Sequence, residues 1–100
     1  MQFSERMSAG RRLVILVVLK GAPEFTCHEY RLAELMAGDH GDAVGRDALR
    51  TELAWLEEQG LVLNQQTPQG LWISTLTVRG EDVATGRTVV PGVSRPRPEF

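Results

Sequence analysis

The chain has a single cysteine, Cys27, so no internal disulfide can form. That excludes a disulfide-stapled scaffold and agrees with a reducing compartment. Long apolar stretches are missing too. The run Leu13 to Leu19 is apolar for only seven residues, far short of the ~20 a membrane-spanning helix needs. Nothing at the N-terminus has the pattern of a signal peptide. The expectation is a soluble, cytoplasmic protein without a membrane partner. There is no Gly-rich phosphate loop and no nucleophile elbow, nor a strand-turn-helix setting in which either works. Cys27, His28, Asp39, His40 and Asp42 lack the spacing of a zinc site. No enzyme, metal or cofactor is expected. A basic excess is also lacking: the formal net charge is −2, whereas nucleic-acid-binding domains usually carry an obvious positive balance.

What is present is organised around Gly45 to Leu61, GRDALRTELAWLEEQGL. Leu49, Leu53 and Leu56 recur at i, i+4, i+7, on one side of a 3.6-residue helix. Gly45 is an acceptable N-cap, Asp47 suits the positive end of the helix dipole, and Val44 can staple to Leu49. At the other end Gly60 can adopt the left-handed conformation and let Leu61 fold back on Leu56, a Schellman stop. Asp47, Thr51, Ala54 and Glu58 point away from the leucines, with Arg46 and Arg50 on one flank. That face can read a major groove, since Arg forks onto guanine edges and Thr reaches a base or phosphate. It can equally be an ordinary solvated face, made acidic at its far end by Glu52, Glu57 and Glu58.

One hundred residues make one small domain. In chain order, residues 1–10 are polar and expected to be flexible. The run Leu13 to Leu19 is β-branched enough for a buried strand; Arg11-Arg12 before it and Lys20-Gly21 after it suit a three-turn helix, and the rest of the chain favours helix. After the turn Gly21-Ala22-Pro23, FTCHEY reads as a helix start. Thr26 is the N-cap, Glu29 closes a capping box, and Phe25 staples onto Tyr30. This helix runs to about Ala37 and stops at Gly38. Beyond Gly60 the period becomes two: Leu61 to Leu63 and Leu71 to Leu76 are strands around a turn containing Pro68 and Gly70. Thr77 caps a short helix from Val78 to about Thr85. Residues 11–86 are therefore the folded domain, and 87–100 a proline-containing extended tail.

Three helices, a hairpin and a short helix make a mainly α fold in the order of a winged helix-turn-helix. LRTELAWLEEQGLV, the hairpin and LTVRGEDVA resemble the recognition helix, wing and closing helix of bacterial regulators of the ArsR/MarR kind. RDALRTELAWLEEQGLV with GRTVVPGVSRPRP resembles, more narrowly, small ArsR-like proteins of Mu-like phages and prophages, over nearly the whole chain. The resemblance implies a winged-helix fold and a DNA-binding role. The chain departs from metal-sensing ArsR proteins in having one cysteine, and its wing, Asn64 to Gly70, holds no Lys or Arg for a phosphate.

The reading favoured here is a DNA-binding regulator. Arg46, Asp47, Arg50 and Thr51 would face double-stranded DNA, with Arg11 and Arg12 on phosphates. The alternative is a protein-interaction module, supported by the acidic balance, the neutral wing and the tail. Trp55 is expected to pack against the hairpin or first helix rather than anchor an interface. A homodimer is expected, with Leu13 to Leu19 partly covered by the second copy and Val89 to Val93 lying along the domain or across the seam. The other reading encloses that run within its own domain.

Overall fold

The computed structural model describes residues 2–97. Helix α1 spans Phe3–Gly21, strand β1 Thr26–His28 and helix α2 Glu29–His40. Helix α3 follows over Arg46–Glu58, then strands β2 (Val62–Gln66) and β3 (Trp72–Leu76), and helix α4 (Val78–Ala84). The three strands form one antiparallel sheet in the order β1-β3-β2. This is a winged helix-turn-helix, with β2-β3 as the wing.

The Leu13–Leu19 run is helical, and the helix is longer than three turns. It begins at Phe3, so that most of the expected flexible segment 1–10 is instead a little over two more turns of α1. Gly10 costs a helix about 1 kcal/mol relative to Ala, yet helix continues through it because Ala9, directly before it, is buried against the chain's far end, where Ser94 N donates to Ala9 O at 3.1 Å. Ile15, Leu16 and Leu19 are fully buried, and in the whole run only Val17 is exposed. The domain therefore encloses most of that run itself.

α3 begins and ends where its sequence places the cap and the stop. Gly45 is the N-cap. At the far end Gly60 has φ +75°, Leu61 N donates to Leu56 O at 3.0 Å, and Gly60 N donates to Glu57 O at 2.9 Å. Those are the two bonds of a Schellman stop. Leu49, Leu53, Leu56 and Leu61 lie in the core. α4 likewise starts where Thr77 Oγ1 accepts from Gly80 N at 2.9 Å. The wing turns over Thr67-Pro68-Gln69-Gly70, with Gly70 N donating to Thr67 O at 2.9 Å and Pro68 at the second position.

Two further expectations fail, at the start and the end of α2. The capping box at Thr26 does not form: Thr26, Cys27 and His28 are strand β1, paired with Thr75, Ser74 and Ile73 of β3. α2 starts at Glu29 instead, capped by the His28 ring, whose Nδ1 accepts from Arg31 N at 3.2 Å. It runs past Gly38 to stop at Gly41, φ +64°. The tail lies along the domain, one of the two placements expected for Val89 to Val93, and joins its core. Val90 and Val93 are buried with the core, so the packed domain continues beyond residue 86. Pro98 and the two residues after it lie outside the described residues.

Candidate nucleic-acid interface

The first half of α3, the start of α2 and the wing enclose a cleft of about 290 Å³ lined by Glu29, Tyr30, Arg46, Arg50, Gln69, Gly70 and Leu71. Arg46, Asp47, Ala48, Thr51, Ala54 and Glu58 are the solvent side of α3. Arg46 makes no ion pair among the described residues, so its guanidinium is free for an incoming anion or base. The Thr51 hydroxyl is already satisfied within the helix, donating to Asp47 O at 3.0 Å. The wing contributes Gln69 and backbone, with no cation.

Arg50 is drawn into the cleft and does not share the exposed face of α3. Its Nε and Nη2 fork onto the Glu29 carboxylate at 2.8 and 2.7 Å, and Nη2 also donates to Gly70 O at 2.9 Å. Glu29 is only 2% exposed and accepts in addition from Trp72 N at 2.7 Å. Hydrogen bonds from Arg50 hold the Glu29 carboxyl below its ordinary value despite burial. One carboxylate thus ties α2, α3 and the wing together, and Arg50 braces the cleft from inside.

Arg11 and Arg12 are similarly engaged. Arg11 forks onto Asp42 at 3.0 and 2.8 Å, fixing the loop before α3, and its hydrogen bonds lower the Asp42 carboxyl below its ordinary value. Arg12 Nε donates to Glu52 at 2.8 Å and Nη1 to Gly92 O at 3.0 Å. Its guanidinium also stacks 3.8 Å from the centre of the Trp55 ring. Trp55 therefore packs on the first helix, as expected, and on the chain's end at Gly92. Of the six residues read from the sequence, Arg46, Asp47 and Thr51 share the exposed face of α3, while Arg50, Arg11 and Arg12 are each paired with a carboxylate of the same domain.

Sequence reasoning assigned Glu29 to a cap and Glu52 to a solvated face. The missed signal is phase. Glu29 precedes Leu32 and Met36 by three and seven residues, and Glu52 lies between Leu49 and Leu56. Both carboxylates thus fall on apolar stripes, and all six residues are buried. A charge in apolar phase needs a buried partner, and each has an arginine.

No family model matches the chain. It is 41% identical over 92 residues to the uncharacterized protein gp26 of Escherichia phage Mu, covering 92% of this chain and 93% of that one. The chain belongs to the gp26 family. A protein of Haemophilus influenzae is 35% identical over 83 residues, covering 79% of this chain and 76% of that protein. Among solved structures, a chain of the complex structure of hsRosR-S1, a winged-helix regulator, superposes with a TM-score of 0.67 at 21% identity. That match covers 81% of this chain and 70% of the other, and it shows that the gp26-family chain has the winged-helix fold. Among the described residues no helix is long and apolar enough to cross a membrane.

Proposed function

We propose that this gp26-family chain is a non-catalytic, DNA-binding regulator of the ArsR-like kind that reads duplex DNA with the first half of α3. The observation that carries the reading is the free guanidinium of Arg46 at the exposed N-terminal end of α3, beside the wing cleft. A helix N-terminus adds partial positive charge there, and Arg is the commonest side chain to fork onto guanine in the major groove. Asp47 and Thr51 flank it. Arg50 serves this surface indirectly, by holding Gly70 of the wing against α3.

The test is titration of the protein against a diverse pool of duplexes at low salt. Specific binding is expected, weakened by about 1–3 kcal/mol in Arg46→Ala, the usual worth of a bidentate base contact. Replacing Gln66 and Gln69 together by Ala should leave affinity nearly unchanged, because a neutral wing adds little to phosphate attraction. Absence of any duplex binding by the wild-type protein rejects the reading. It would then favour the protein-interaction alternative, which the pairing of Arg11, Arg12 and Arg50 with internal carboxylates supports by leaving a weakly charged surface.

A further inference from the structure

The end of the chain carries a charge pattern of its own. From Val83 to Pro98 the sequence has three arginines, Arg87, Arg95 and Arg97, and no carboxylate. In the fold Lys20 of α1 joins them. It lines, with the end of α4 and the segment that follows, a hollow of about 530 Å³ that includes Arg95 and Arg97. No acidic side chain among the described residues lines it. Lys20, Arg95 and Arg97 are exposed and make no ion pair among the described residues. Arg87, between the lining residues Gly86 and Thr88, pairs with Asp82 at 3.2 Å and is 66% exposed.

Proline sets the direction of the last two arginines. Arg95 and Arg97 each precede a proline, which keeps the residue before it extended. Pro96 rests on Gly86, where an added Cβ would lie 3.2 Å from Pro96 Cγ. Side chains alternate along an extended chain, so with Pro96 turned to the domain its neighbours turn to solvent. Arg95, Pro96 and Arg97 are accordingly exposed, half-buried and exposed. Two residues of such a chain span about 6 Å, close to the spacing of neighbouring phosphates along one strand. Little ordering of the backbone remains for a partner to impose.

We propose that this face is a second nucleic-acid contact, taking the sugar–phosphate backbone of duplex DNA without regard to sequence. It rests on the DNA-binding reading above, but not on α3. Sequence-independent affinity comes from cations free to displace the counterions of the duplex. The wing has none, and Arg11, Arg12 and Arg50 are matched by carboxylates of the domain. The cations outside any ion pair among the described residues are Arg6, Lys20, Arg46, Arg79, Arg95 and Arg97, and half of these share the one hollow. Arginine forks onto phosphate oxygens. The hydroxyls of Thr88 and Ser94, in the same lining, can donate to them as well.

The probe is a mixed-sequence duplex, titrated by fluorescence anisotropy over a series of salt concentrations. Arg95→Gln with Arg97→Gln removes two exposed charges, so the melting temperature should not change. Affinity at low salt should fall at least tenfold, equally for every sequence. The slope of log affinity against log salt should shrink by about 2, close to one phosphate per arginine. Arg95→Lys with Arg97→Lys should keep most of the slope, since a phosphate contact needs charge more than shape. An unchanged slope in the glutamine variant, a loss confined to one sequence, or equally tight binding of polyglutamate would each overturn the proposal. The two readings fail separately. An unchanged slope leaves the role of Arg46 standing, whereas duplex binding with no preference among sequences removes that role and leaves this one.

Discussion

Glu29 is the residue that ties α2, α3 and the wing together, though it sits beneath the cleft they form. Its carboxylate accepts two bonds from Arg50 and one from the backbone of Trp72. Glu29→Gln leaves the guanidinium without its countercharge, and the expected loss is about 1–3 kcal/mol, measured as a lower urea midpoint. Acid should act on the same bonds. The folded-state carboxyls of Glu29 and Asp42 are depressed below ordinary values of 4.5 and 3.8. Their stabilisation is therefore complete above those values and is lost as pH falls through the lower folded ones. The urea midpoint should hold between pH 7 and about pH 5 and drop below about pH 4.5, and the drop should be smaller in Glu29→Gln.

Where elements meet, one glycine governs the approach of α4 to the start of the wing. A Cβ on Gly80 would lie 2.1 Å from Leu61 O and 2.6 Å from Leu76 Cδ1. Alanine favours a helix over glycine by about 1 kcal/mol, so Gly80→Ala stabilises if propensity alone matters. Backbone cannot yield as a flexible side chain can, and overpacking typically costs 1–3 kcal/mol. Lower thermal stability of Gly80→Ala is the expected result, and an unchanged or higher melting temperature would mean that α4 can move away. The hairpin is tied to α3 separately: Asn64 Nδ2 donates to Leu53 O at 2.9 Å, while its Oδ1 accepts from Ser74 Oγ at 2.7 Å.

At the scale of the molecule, the final segment belongs to the domain. Val90 and Val93 are buried, and Gly92, at φ +95°, passes so close to Trp55 that a Cβ would fall 2.7 Å from the ring. Deleting Arg87 to Phe100 exposes the core beneath those valines. At about 1.5–3 kcal/mol per fully buried aliphatic side chain, the expected loss is about 3–5 kcal/mol, a large share of the 5–15 kcal/mol typical of a domain. Calorimetry should show a marked fall in melting temperature, and an unchanged value would mean the tail only rests on the surface.

The sequence by itself determined the elements whose causes are local. α3 from its cap at Gly45 to its stop at Gly60, the Pro68 turn of the wing and the Thr77 cap of α4 each arise from residues a few positions apart, and the winged-helix order follows from them. What only the tertiary structure decided involves partners distant in the chain. Thr26 to His28 became a strand because β3, some 50 residues on, offers its edge, which outweighed a local capping signal. Arg50, Arg11 and Arg12 were drawn inward by Glu29, Asp42 and Glu52, at separations of 21, 31 and 40 residues. Helical phase places an arginine on a flank but not its countercharge. Only the folded chain shows which carboxylate lies within reach, and hence that Arg46 is the one arginine of α3 left facing solvent.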